Sequence, residues 1–252
     1  MSTSFLNNKK VILSGGGTGG SVSPLLAVAK ELQMENKEYS FLWVGTNNGV
    51  ERDMVEQEGM EFTYIPSGKF RRYFDVRNFF DVFRILAGFF VSLILVLRHR
   101  PHLIMSAGSF VSVPLVWGGW LLGVPVIIHQ QDVRPGLANK LMAPAADRVT
   151  VTFKKSLADY GEKAVWTGNP VQEGVDPSSG SLPQLHAGVP TVLVVGGGTG
   201  AFALNELIAS DLDRLLGECQ LVHVTGEGKQ PDIGSLSKKR NSRYYSYSFL
   251  ER

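Results

Sequence analysis

A six-residue glycine motif occurs twice in this chain, as Gly15-Gly16-Gly17-Thr18-Gly19-Gly20 and again as Gly196-Gly197-Gly198-Thr199-Gly200-Ala201. Each copy follows a short apolar run and precedes a helical pattern. Val11-Ile12-Leu13 and Thr191-Val192-Leu193-Val194-Val195 read as buried parallel strands, while Leu25, Leu26, Ala29 and Leu32, and Leu204, Leu207, Ile208 and Leu212, recur at helical spacing. Glycines at a strand-to-helix turn let the backbone approach an anion, and the helix N-terminus beyond it offers unpaired N–H groups and a positive dipole end. The repeat implies two nucleotide-type half-domains in one chain, each with a candidate phosphate site.

Gly15-x-Gly17-x-x-Gly20 also satisfies the dinucleotide fingerprint. A dinucleotide fold wants an acidic residue at the end of its second strand for the ribose hydroxyls. The expected second strand, Ser40-Phe41-Leu42-Trp43-Val44, instead runs into Gly45-Thr46, and in the second copy Leu221-Val222-His223-Val224 runs into Thr225-Gly226. An NAD-dependent oxidoreductase is weakened as a reading.

With 252 residues, 44% of them hydrophobic, the chain is long enough for two cores. A net charge of +2 argues against a general nucleic-acid binder. The lone Cys219 excludes an intrachain disulfide framework and fits a reducing compartment. Only three strongly apolar residues separate Lys10 from the first glycines, too few for a secretory signal, so a cytoplasmic location is expected.

Strands are expected near 10–14, 40–44, 61–65, 102–106, 125–129 and 148–152, alternating with helices at 22–35, 50–58, 77–98, 113–121 and 136–142. That alternation predicts an α/β, doubly wound parallel sheet. A Gly-, Pro- and Ser-rich stretch follows, including Asp176-Pro177-Ser178-Ser179-Gly180-Ser181-Leu182-Pro183. The expected organisation is an N-terminal domain over 1–167, a linker over 168–190 and a second domain over 191–252. The latter, with strand 191–195, helix 201–216, strand 220–224 and strand 243–249, holds too few elements for a complete domain.

The ordered segments Gly16-Gly17-Thr18-Gly19-Gly20 with Pro24, Ala107 to Pro114, Gly123 to Gln131, Pro135 to Lys140, Thr167 to Val171 and the second glycine loop resemble glycosyltransferase family 28. Its enzymes add N-acetylglucosamine to the undecaprenyl-linked muramoyl-pentapeptide during peptidoglycan synthesis. The resemblance implies a GT-B fold of two Rossmann-like domains, the second incomplete here. It also implies UDP-N-acetylglucosamine as donor, the lipid acceptor in the N-terminal domain, inversion at the anomeric carbon, and neither metal nor cofactor. Most donor contacts of the family lie beyond Arg252, so the resemblance raises a separate polypeptide that completes the second domain. By the same resemblance the substrate-binding positions are Thr18, Gly19, Gly20, Asp132, Gln172, Gly198 and Leu250.

The departures from the family fall on functional positions. Ser21 stands where the family has His, Ser109-Phe110-Val111-Ser112 where it has Gly-Tyr-Val-Ser, and His129-Gln130-Gln131-Asp132 where it has His-Glu-Gln-Asn. Gln172 replaces Arg and Gly198 replaces Ser. Deprotonating an acceptor hydroxyl needs a group that titrates near the working pH, which a serine hydroxyl does not. Asp132, His129 and Ser21 are the candidate catalytic residues; as the base itself Ser21 is poor, and Asp132, His129 and Glu51 remain, Asp132 being preferred. Glu51 reads more simply as a helix-start charge favoured by the dipole.

Between Lys69 and Arg100 eight aromatics lie among seven basic residues and two acids, a local net charge of +5. The apolar core from Ile85 to Leu97 is shorter than the ~20 residues of a spanning helix. Peripheral contact with an anionic membrane surface is expected through Lys69–Phe80, at the cytoplasmic face of the cell membrane, with the latter part of the helix in the core. A non-catalytic homologue that binds lipid precursor or membrane stays open as the second reading.

Overall fold

The computed structural model describes residues 9–17, 19–36, 38–68, 77–172, 185–197, 200–226, 228–230 and 242–248, with the backbone alone for 77–82. The chain divides into two compact units, Met1–Glu173 and Gly174–Arg252. The expected linker, 168–190, falls mostly outside the described residues.

In unit 1 the strands are β1 (Lys9–Ser14), β2 (Tyr39–Gly45), β3 (Glu61–Tyr64), β4 (Leu103–Ser106), β5 (Val126–Gln130), β6 (Arg148–Val151) and β7 (Ala164–Trp166). They form one all-parallel sheet in the order β3-β2-β1-β4-β5-β6-β7. The helices are α1 (Ser23–Glu35), α2 (Glu51–Gln57), α3 (Arg77–His99), α4 (Ser112–Leu121) and α5 (Leu137–Met142). Side chains on β1 alternate between two cores. Val11 and Leu13 join Leu25 and Leu26 of α1, Trp43 of β2 and Val55 of α2, whereas Ile12 joins Leu42, Ile104, Leu115 of α4, Ile128 and Met142 of α5. Burial on both faces is what a doubly wound sheet demands, and each such Leu or Ile contributes roughly 1.5–3 kcal/mol relative to exposure.

Strand order reverses at β1, which lies between β2 and β4 with Ile12 opposite both Leu42 and Ile104. The crevice beyond the carboxyl ends of β1 and β4 is the topological switch point, where open α/β sheets take their ligands.

Two expectations fail. Strand β7 was not foreseen, because three residues carry no periodicity. The latter half of α3 is only half core: Gly88, Ser92, Leu95 and Val96 are buried, but Phe83, Leu86, Phe90, Ile94 and Leu97 are exposed. Close packing on α4 and on the segment after β3 selects the buried side. The Ser92 hydroxyl donates to the Gly88 carbonyl at 2.7 Å, and a Cβ on Gly88 would lie 2.1 Å from the Pro66 oxygen. Within Ile85–Leu97 only Ser92 is polar, so that stretch carries little signal of which side is covered.

Unit 2 contains β8 (Thr191–Val195), α6 (Phe202–Glu218), β9 (Gln220–Val224) and β10 (Tyr244–Tyr247). The strands form a parallel sheet in the order β10-β9-β8. Leu212 and Leu216 of α6 pack on Val194, Leu221 and Tyr244. Cys219 is buried at the helix end, its thiol directed to the Leu215 carbonyl.

Candidate functional site

Loops at the carboxyl edge of the unit 1 sheet gather around the switch point. The loop after β1 begins with buried Gly15 and Gly16, passes Gly17 at a φ of 81° and ends in a 3-10 turn over Gly19–Ser21. Its first peptides are held internally: the Ser21 hydroxyl accepts the Gly16 N–H at 3.0 Å and faces the Gly16 carbonyl at 3.3 Å, and Gly17 N–H donates to the Glu51 carboxylate at 3.1 Å. Ser21 therefore braces the loop. The expected substrate-binding positions Gly19 and Gly20 lie further on, in that 3-10 turn. Thr18 lies outside the described residues.

The loop after β4 is tied to the first. The Ser112 hydroxyl, at the start of α4, donates to Ser14 at 2.9 Å and lies 3.0 Å from the Gly108 carbonyl, while the Ser14 hydroxyl donates to Val44 of β2. Ser109 sits at a φ of 87° and Gly108 at 99°. A side chain at such a φ is strained, so Ser109 holds a backbone conformation that favours glycine.

His129 and Asp132 come from β5 and the loop after it. The His129 ring is buried. Its Nε2 lies 3.3 Å from both the Asn169 amide oxygen and the Thr152 hydroxyl, and its Nδ1 lies 2.8 Å from the Thr150 hydroxyl. With Asn169 as acceptor, Nε2 carries the proton. Burial holds the imidazole below its ordinary pKa, against the opposing pull of the Asn169 hydrogen bond, so it is neutral near pH 7. Asp132 is exposed, but its backbone is fixed, its carbonyl accepting from Gln130 Nε2 at 2.8 Å. The geometry presents a solvent-facing carboxylate on a pinned loop.

Gln130 is the residue that reasoning from the sequence undervalued. Its amide nitrogen also donates to the Arg134 carbonyl, and its oxygen accepts from Asn139 at 2.6 Å and from the Tyr160 hydroxyl at 2.9 Å. Burial and neighbouring Asp159 push Tyr160 up to about 12, so it stays a donor. A carboxylate at position 130 has no hydrogen to offer the two loop carbonyls; the amide suits this loop. Asn139 anchors the same cluster by donating to the His129 carbonyl, and its own side-chain oxygen, buried without a partner, is directed at Gly108.

Glu51 does open α2, yet it does more than face the helix dipole: the side chain is fully buried, and its carboxylate receives Gly17 N–H, Thr46 N–H and the Thr46 hydroxyl. The structure does not bring Gln172 to this edge. Its amide reaches Glu58 just past α2, beside a surface hollow of about 310 Å³ that Lys30, Glu31 and Met34 of α1 help to line. Gly198 and Leu250 lie outside the described residues. In unit 2 the second loop places Gly197 and Gly200 at positive φ, and Asn205 of α6 donates to the Thr225 carbonyl after β9 at 2.8 Å. Among the described residues no group of three or more His, Cys, Asp or Glu side chains could hold a metal ion.

Residues 11–151 match the family model described as the glycosyltransferase family 28 N-terminal domain. A Clostridium botulinum enzyme named UDP-N-acetylglucosamine–N-acetylmuramyl-(pentapeptide) pyrophosphoryl-undecaprenol N-acetylglucosamine transferase is 38% identical over 244 residues, covering 95% of this chain and 68% of that enzyme. A Bacillus cereus enzyme of the same name, numbered 2, matches at 38% with the same coverage. The chain thus spans about two thirds of these relatives. Among solved structures, Acinetobacter baumannii MurG aligns with a TM-score of 0.63 at 25% identity, over 97% of this chain and 67% of that one. The UDP-GlcNAc 2-epimerase of Neisseria meningitidis, at 12% identity and a TM-score of 0.67, shares the fold.

Proposed function

The chain belongs to glycosyltransferase family 28, and on that premise we propose that it transfers N-acetylglucosamine from UDP-N-acetylglucosamine to undecaprenyl-diphospho-muramoylpentapeptide. The observation that carries this reading to chemistry is the switch-point crevice of unit 1, where two turns with positive φ stand beside the exposed Asp132 carboxylate. The lipid acceptor is assigned to this crevice, with its diphosphate toward Gly19 and Gly20. The donor is assigned to the second glycine loop, with Gly198 and Leu250 among its contacts, as in the family. Asp132 takes the proton of the acceptor hydroxyl as that oxygen attacks the anomeric carbon and the nucleoside diphosphate leaves from the opposite side, which inverts the centre. His129, neutral and held by three partners, positions the β5 loop, and Ser21 braces the first glycine turn.

Two partners complete the proposal. An anionic membrane surface at the cytoplasmic face is met by the exposed stripe Phe83, Leu86, Phe90, Ile94 and Leu97 of α3, supported by the basic residues of Lys69–Arg84, whose first part lies outside the described residues. No helix among the described residues is long and apolar enough to cross a membrane, so the contact is peripheral. The second partner is a polypeptide segment that covers β8. Val192, Leu193 and Val195 are all exposed there, on a strand that among the described residues pairs on one side only.

Labelled sugar transfer tests the reading, measured for the chain alone and for the chain co-expressed with the C-terminal third of the Clostridium botulinum relative. Transfer in the second case supports it. Retention of lipid acceptor without transfer in either case favours the non-catalytic homologue.

A further inference from the structure

The first glycine loop is held from outside its own sequence. Glu51 is fully buried at the start of α2. One carboxylate oxygen accepts Gly17 N–H at 3.1 Å, and the other accepts Thr46 N–H at 2.7 Å together with the Thr46 hydroxyl. Three glycines leave the space it needs. A Cβ on Gly16 would come 2.4 Å from a Glu51 oxygen, one on Gly45 3.0 Å from Glu51 Cγ, and one on Gly49 1.8 Å from a Glu51 oxygen. Among the described residues no lysine or arginine pairs with this carboxylate; main-chain and hydroxyl donors satisfy it.

A loop built only to cradle phosphate would keep its amides for the ligand. Here the protein supplies its own anion to Gly17, and the run of glycines serves that internal carboxylate as much as a ligand. We propose that Glu51 is a positioning residue that acts through the Gly17 amide to set the turn carrying Gly19 and Gly20, preorganising it for the acceptor diphosphate. The ligand in this statement rests on the transferase reading; the latch does not.

Gly49 supplies the sharper probe, because its φ is outside the left-handed region and the three atoms nearest an alanine Cβ there all belong to the Glu51 carboxylate. Hydrogen exchange of the 15–22 segment and of Thr46 is compared for the full chain and for Glu51→Gln, Gly49→Ala, Thr46→Val and Gly49→Ala combined with Glu51→Ala. Glutamine keeps one acceptor oxygen and sets its N–H₂ against either the Gly17 or the Thr46 N–H, so exchange at one of these two amides should rise about tenfold, the loss of one good hydrogen bond. Gly49→Ala should reproduce this with the carboxylate still present, Thr46→Val should show a smaller rise, and adding Gly49→Ala to Glu51→Ala should change nothing further. Affinity for a short-chain polyprenyl-diphospho-muramoyl-pentapeptide in detergent should fall by about the same factor in Glu51→Gln, with exchange in β4 to β6 unchanged. Unaltered exchange at both amides in the single variants overturns the latch, and a loosened loop with unaltered affinity overturns its positioning role. If the unmodified chain ignores the probe, the transferase reading falls and the exchange data still decide the latch.

Discussion

β1 and β8 lead into nearly the same glycine sequence and end in different surroundings. β1 lies between β2 and β4, and Val11, Ile12 and Leu13 are buried. Among the described residues β8 pairs with β9 alone, and of Val192, Leu193 and Val194 only the last is buried. The latches also differ: in unit 1 a carboxylate from the helix after β2 reaches back to the loop after β1, whereas in unit 2 an amide from the helix after β8 reaches forward to the loop after β9. A glycine motif dictates a turn. Neighbouring strands decide whether the strand before it is core or surface, and a longer-range side chain decides how the turn is held.

The largest effect should separate the units by chemistry. If unit 1 supplies the base, Asp132→Asn in the completed enzyme lowers turnover by about 10²–10⁴-fold with little change in acceptor affinity. A silent Asp132→Asn moves the base elsewhere and removes the chemical half of the comparison.

Packing comes next. Counting back from the first glycine of each loop pairs Ile12 with Leu193, which are 0% and 59% exposed. Ile12→Ala should cost about 2–5 kcal/mol, and Leu193→Ala about 0.5 kcal/mol or less. All four tryptophans, Trp43, Trp117, Trp120 and Trp166, belong to unit 1, so their fluorescence reports its unfolding while hydrogen exchange of β9 reports unit 2. Equal costs would show that β8 is covered in solution.

Acid should weaken unit 2 through His223. Its buried ring has Asn205 at 3.1 Å on Nε2 and Tyr244 at 2.9 Å on Nδ1, and burial lowers its pKa. A lowered folded pKa means that the unfolded chain binds the proton first. Stability is therefore full above the ordinary value of 6.5 and declines as pH falls below it, by at most about 1.4 kcal/mol per pH unit for one proton. His223→Gln should flatten that decline in β9 exchange and leave the unit 1 fluorescence curve, which carries the similarly lowered His129, unchanged. Persistence of the slope in unit 2 would assign it to another group.

The smallest effect is a gain. Ser109→Gly relieves a φ of 87° and should stabilise unit 1 by about 1 kcal/mol, read as a higher denaturant midpoint in tryptophan fluorescence. No gain would mean that the Ser109 side chain makes a compensating contact.

Alternation of short apolar runs with helical spacing was enough to place six of the seven strands of unit 1 and all of its helices, because burial on both faces of a parallel sheet leaves a local pattern. The need for glycine at Gly17 and Gly200 was local too, since a positive φ is a property of one residue's own backbone. Other features depended on residues distant in sequence. A glutamate opening a helix looks the same whether it faces water or turns inward, and only the pairing of β1 with β2 brings Glu51 to Gly17, thirty-four residues away. Gln130 likewise reads as a lost charge until α5 and Tyr160 converge on it, and the stretch Ile85–Leu97 of α3 is apolar nearly throughout until α4 covers one side of it. Burial, hydrogen-bond partners and the choice of a covered face are relations between segments, so tertiary structure alone decided them.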